Sequence, residues 1–257
     1  MLLVSGIILS ILMFILGSMI FSFLNVVIYR MPRGENFIKG RSRCTSCGHV
    51  LSFSDMMPII SIIRLGGRCR YCKAPVSKRY SVVEALGGAA AVLSFLLHGF
   101  SLQGILAFAM CCVITCVGFI DHDTMIIPDS LCIIAAIIGV LAMIFTDASP
   151  WYSHLAGAFI VSVPLFIIAF FVPGAFGGGD IKLMAACGLY LGFADVIFAF
   201  FVGTVVGGLY AVHLLMTNKK GRKDHLAFGP WLCIGVAAAI FVGDLIIDFY
   251  ITSMLSM

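Results

Sequence analysis

The stretch Phe119-Ile-Asp-His-Asp-Thr-Met-Ile-Ile-Pro-Asp129 decides how this chain is read. It closes an uncharged apolar run from 102 to 120, long enough to cross a hydrocarbon layer. A carboxylate at the edge of such a run is costly to place, which makes Asp121 a functional candidate. The whole chain agrees with a membrane setting. Its 257 residues are 61% hydrophobic and 11% charged, where a soluble domain carries about a quarter charged residues. The mean hydropathy is +1.13. The apolar runs are continuous rather than alternating, which argues against a β-barrel. The fold class expected is all-α: a polytopic helical membrane protein.

Working outward from 102–120, further apolar runs lie at 3–28, 82–99, 131–146, 154–172, 181–193, 196–216 and 227–250, giving about eight transmembrane helices. Residues 1–29 carry no charge and lack the basic start and cleavage site of a secretory signal, so they read as a retained span. Turn residues separate the runs, as in Asp147-Ala-Ser-Pro150 and Gly192-Phe-Ala-Asp195. Eleven of the sixteen Lys and Arg fall between Arg30 and Arg79; Lys219, Lys220, Arg222, Lys223 and Lys182 complete the set. The positive-inside rule puts these segments in the cytoplasm. Eight spans with 30–80 inside also put 121–130, 173–180 and 217–226 inside. The division expected is 1–29 as first span, 30–80 as a basic cytoplasmic module, and 81–257 as the membrane-embedded core.

Within the basic module, Cys44-Thr-Ser-Cys47 and Cys69-Arg-Tyr-Cys72 form two CxxC pairs. Their spacing suits a structural zinc site in which four thiolates close a tetrahedron. Arg41, Arg43, Arg68, Arg70 and Lys73 are expected to lower the thiol pKa values. A disulfide framework fits a reducing compartment less well, and no βαβ pattern supports a redox pair. A small polar loop of this kind needs a staple. Its basic surface suits anionic membrane lipids, or an acidic or nucleotide-like cofactor. The remaining cysteines (Cys111, Cys112, Cys116, Cys132, Cys187 and Cys233) lie in apolar runs and read as small hydrophobes.

The second acidic motif is Gly177-Gly-Gly-Asp-Ile-Lys182. Gly177, Gly178 and Gly179 allow another backbone to come close, as gripping an extended peptide requires. Asp180 at a helix start is favoured as an anion by the helix dipole; a plain N-cap is the bland alternative. Two carboxylates brought together can share one proton, so that one activates water while the other donates to a carbonyl. Asp123 and Asp129 read as solvated loop acids, with Asp129 as N-cap. Asn25 reads as a helix-joining polar group, and Glu84 as a partner of Arg79 or Lys78. Gly203, Gly207 and Gly208 read as packing positions. Asp244 is left without a role. His98, His154, His213 and His225 sit at span ends without metal-ligand spacing.

Taken in order, these elements resemble a known family. They are Asn25-Val-Val-Ile-Tyr-Arg-Met-Pro32, the double CxxC, Arg79-Tyr80 with Glu84, Ile120-Asp121 with Ile127-Pro128-Asp129, and Gly177-Gly-Gly-Asp180-Ile-Lys182. The chain is similar over nearly its whole length to the bacterial type IV prepilin peptidases, membrane aspartic proteases of the GxGD type. The resemblance implies an eight-span enzyme of the bacterial inner (cytoplasmic) membrane. Such an enzyme cuts the leader from prepilin or pseudopilin substrates at the cytoplasmic face, then N-methylates the new terminus with S-adenosylmethionine as methyl donor. It implies Asp121 and Asp180 as the catalytic pair, and Cys44, Cys47, Cys69 and Cys72 as zinc ligands. Phe21 stands where the family usually has Gly, and Thr45 where Pro is common. No glycine-rich methyl-donor loop of the soluble Rossmann kind is visible. Nucleic acid is not an expected partner. The competing readings are a presenilin-like protease, a membrane transporter, and a non-catalytic zinc-stapled scaffold. The first lacks the double CxxC, the second calls for mid-span acids, and the third leaves both aspartate motifs idle.

Overall fold

A computed structural model describes residues 2–44, 46–55, 57–58, 61, 64–146, 149–172, 174–217 and 226–255. Thr45, Asp147, the basic cluster Lys219, Lys220, Arg222 and Lys223, and His225 lie outside the described residues. The contacts divide the chain into two units, Met1–Phe100 and Ser101–Met257.

The first unit contains two long helices, α1 (Leu2–Arg30) and α2 (Arg79–His98). They run against each other at unusually short range because glycines remove the side chains at the crossing. A Cβ on Gly17 would stand 2.3 Å from the Gly87 carbonyl oxygen. Phe21, wholly buried, fills the notch over Gly87, where an added Cβ would meet its ring at 2.1 Å. Large against small is how such a surface interlocks, and it gives the departure at Phe21 a packing reason. Glu84 is buried and accepts a hydrogen bond from Ser22 Oγ at 2.7 Å, so it finds a partner on α1. Asn25 Nδ2 donates to the Tyr80 carbonyl at 3.4 Å, joining the two helices as the sequence suggested.

The second unit is a helical bundle. Its elements are α3 (Leu102–Thr124), α4 (Asp129–Phe145), α5 (Trp151–Ile160), α6 (Ser162–Phe171), α7 (Gly178–Leu191), α8 (Phe193–Met216) and α9 (Gly229–Ala238). A π-helical turn, Ala239–Gly243, leads into α10 (Asp244–Leu255). Ser101 caps α3 by accepting from the Gly104 amide at 3.2 Å. The break between α5 and α6 has a sequence cause: Pro164 removes an amide donor and crowds the Ile160 carbonyl.

Among the described residues six helical stretches are long and apolar enough to cross a membrane: Ser5–Arg33, Arg79–His98, Leu102–Thr124, Trp151–Phe171, Phe193–Met216 and Gly229–Tyr250. Asp129–Phe145 is a shorter apolar helix. The expected run at 181–193 is α7, only 14 residues long. At about 1.5 Å per residue it spans about 21 Å, less than the ~30 Å of a hydrocarbon core. It is the centre of the unit, touched by α4, α5, α6, α8 and α9. Leu183, Met184 and Cys187 on it are fully buried.

Small residues let α7 sit there. A Cβ on Gly188 would lie 2.2 Å from the Gly157 carbonyl oxygen of α5, and one on Gly139 of α4 2.9 Å from the Tyr190 amide. Gly203 and Gly207 likewise seat α8 against Trp231. Gly208 does not: an added Cβ there meets nothing within 4 Å, so it is no packing position. His154 is buried in α5, with Nδ1 2.9 Å from the Leu189 carbonyl oxygen of α7. Asp244 lies within electrostatic reach of Asp195, whose Oδ1 faces Gly243 in the π-helical turn.

Candidate active site and metal centre

Asp121 sits in the last turn of α3, 5% exposed. Its own carbonyl accepts from the Met125 amide at 2.8 Å, closing the helix. Its carboxylate Oδ2 accepts from the Gly229 amide at 3.0 Å, a bond made across 108 residues at the start of α9. Asp180 is the third residue of α7, 8% exposed. Its Oδ2 reaches back to accept from the Gly177 amide at 3.1 Å. This satisfies one of the amide donors that every helix start leaves open.

The start of α7 is seated on the loop that follows Asp121. A Cβ on Gly179 would lie 2.8 Å from Ile127 Cβ, so this glycine is a packing position. A Cβ on Gly178 would meet nothing within 4 Å, so this position stays open to an approaching chain. Lys182 Nζ, two residues beyond Asp180, reaches Asp129 Oδ1 at 2.8 Å, tying α7 to α4. Asp129 is therefore the first helical residue with an ion-pair partner, and Pro128 holds the N-cap position. Asp123 is exposed beside His122, its Oδ1 3.2 Å from Nδ1. The rings of Phe176 and Phe228 meet at 5.7 Å between centroids. The two carboxylates lie within electrostatic reach of each other. Two acids some 60 positions apart in sequence are thus brought to one end of the second unit, each largely out of water.

Residue types alone did not single out Gly229, Phe228, Phe176 or Ile127. A signal for the first existed: Gly229-Pro230 places proline just inside a helix start, where it is favoured.

In the first unit, Cys44, Cys47, Cys69 and Cys72 place their four sulfurs within 4.8 Å of one another. Cys44 Sγ and Cys72 Sγ are 3.9 Å apart. A tetrahedral ion with metal–sulfur bonds of about 2.3 Å requires sulfurs about 3.8 Å apart, so the set fits a metal. Among the described residues the ten cysteines are unpaired with one another. The two CxxC pairs form two turns of the same geometry. The Gly48 amide donates to the Cys44 carbonyl at 2.9 Å, and the Lys73 amide to the Cys69 carbonyl at 3.0 Å. The flanks are bridged in the same way, Arg43 with Val50 and Arg68 with Pro75. His49 and Tyr71 stack across the two turns, ring centroids 3.6 Å apart. Backbone amides of Cys47 and Ser46 directed at Cys44 Sγ hold its thiol down to about 6. The cause is local amide donors rather than the arginines that the sequence suggested.

Comparison with known proteins meets this geometry from another side. A profile for the bacterial peptidase A24 N-terminal domain matches residues 15–98, and one for the type IV leader peptidase family matches residues 106–212. A prepilin leader peptidase/N-methyltransferase of Bacillus subtilis (strain 168) is 31% identical over 239 residues, covering 93% of this chain and 96% of the relative. Proteins of the same description from Legionella pneumophila and Aeromonas hydrophila are 31% and 29% identical, covering 90% and 95% of this chain and 90% and 94% of their own lengths. No solved structure matches the chain. With both halves of the molecule matched, and matched to relatives along almost their entire lengths, the chain belongs to the type IV leader peptidase family.

Proposed function

We propose that Asp121 and Asp180 are the catalytic pair of a membrane aspartic endopeptidase. It removes the leader from prepilin-like proteins, and the same chain N-methylates the residue exposed. The observation that carries this reading is the pair of buried carboxylates, each with one oxygen already engaged by a glycine amide. Two acids that close in a poorly hydrated site hold one proton between them more readily than two charges. The ionised partner takes a proton from water as its oxygen attacks the scissile carbonyl. The protonated partner donates to the carbonyl oxygen. As the adduct collapses the C–N bond breaks, the proton taken from water passes to the leaving nitrogen, and a hydroxyl proton of the adduct returns to the partner that gave one up. No acyl-enzyme forms. The pair titrates as a unit.

The open face of Gly178 offers the space that an extended peptide backbone needs beside Asp180. The substrate's apolar helix lies among the spans while its leader stays outside the hydrocarbon. The division into 1–29, 30–80 and 81–257 is read functionally, with both carboxylates in the last part. The basic residues at 30–79 and 219–223 support a cytoplasmic site in the bacterial inner membrane, next to anionic lipids. The four cysteines suit structural zinc, which would tie the loop at its two turns. S-adenosylmethionine, when bound, would supply the electrophilic methyl group that the freed amine takes up; no residue of the chain is assigned to holding it.

Co-expression with a prepilin, followed by mass spectrometry of its N-terminus, tests the proposal. Loss of the leader with gain of one methyl group is expected. An intact leader would reject it.

A further inference from the structure

We propose that two matched Phe-Gly turns, Phe176-Gly177 and Phe228-Gly229, set the spacing and aim of the carboxylate pair. Gly229, Phe176 and Phe228 are then positioning residues of the cleavage reaction, an inference that rests on the reading of Asp121 and Asp180 given above.

The two turns carry out the same task in different ways. Each stands at a helix start, each presents a glycine amide, and each amide is donated to Oδ2 of one aspartate, at 3.1 and 3.0 Å. At Asp180 the bond is local, three residues along the chain. At Asp121 it comes from a helix 108 residues away, so its geometry depends on how α9 is delivered. The residue before each glycine is a half-buried phenylalanine, and the two rings meet at 5.7 Å with planes inclined by 54°. That contact links the two turns directly. It couples the local hold on Asp180 to the long-range hold on Asp121.

Glycine at 229 is required by space as well as by its amide. A Cβ there would lie 2.6 Å from Asp121 Oδ2, 3.0 Å from Cγ and 3.2 Å from Cβ. Oδ2 and Cγ turn with the side chain, while Cβ, fixed to the backbone, has to yield only a few tenths of an ångström. An alanine is therefore accommodated by turning the carboxylate, which spares the fold and spoils the aim. Displacement of a reacting group by about 1 Å can cost about a hundredfold in rate.

The test uses the full chain in detergent with a prepilin substrate. It measures kcat and KM for cleavage, and methylation of a substrate already lacking its leader. Gly229→Ala is expected to lose about a hundredfold in kcat, with KM and methylation retained. Phe176→Ala and Phe228→Ala should each lose up to about tenfold, the scale of one aromatic contact, and the double variant no more than the worse single. Gly208→Ala, with nothing within 4 Å of its added methyl group, should match the wild type. Wild-type kcat in Gly229→Ala overturns the proposal, as does a double phenylalanine variant that loses the product of the two singles. Loss of methylation together with cleavage also overturns it, because the role is then generally structural. Failure of the parent reading is seen separately, as a wild-type chain that does not cut or an Asp121→Asn chain that does.

Discussion

At Asp121 a carboxylate, a backbone amide and the absence of a side chain meet at one point, and similar single-residue logic governs the metal turns. Gly48 and Lys73 occupy the same place after the second cysteine of each pair, with φ of 70° and 60°. That left-handed conformation costs a residue with a Cβ about 1 kcal/mol or more and costs glycine little. Lys73→Gly is therefore expected to stabilise its turn by about 1 kcal/mol, and Gly48→Val to weaken the other by at least as much. The chelator concentration that strips half the metal reports both, rising for the first variant and falling for the second. Cys44→Ser with Cys69→Ser takes one ligand from each turn and should release the zinc altogether. Unchanged metal content in that purified double variant would remove the thiolate site. The cysteines themselves were legible from their spacing. The cause of the low Cys44 pKa was not, because amide directions follow from turn geometry that residue types do not encode.

Among the elements, the helices were legible from apolar runs and their breaks from proline and glycine, since both are local signals. The central place of α7 was not, because the length and apolarity of a run do not say what surrounds it. What surrounds it depends on glycines spread over other helices, such as Gly157 and Gly139. The same holds for α1 and α2, where Phe21 and Gly87 form one interlocking pair at long sequence separation. Phe21→Ala empties that notch and should cost about 3 kcal/mol, read as a lower midpoint in denaturant-detergent titration. Gly87→Leu should destabilise more in the wild-type background than in Phe21→Ala, where space has been made. Equal effects in the two backgrounds would show that the pair is not coupled.

For the whole molecule, the sequence placed two acids at the ends of apolar runs, and charge parity put both on one side of the membrane. Both turn out to be largely buried at one end of the second unit, within electrostatic reach of each other. The groups that hold them were hidden, because Gly229 reaches Asp121 only through the packing of α9 against α3. The central claim is that the two carboxylates act as one catalytic unit. It is tested most directly by measuring leader cleavage in Asp121→Asn, Asp180→Asn and the double variant, with methylation of a leaderless substrate as the control for folding. Each single variant should lose cleavage as completely as the double while methylation persists. Normal cleavage by either single variant would contradict the account.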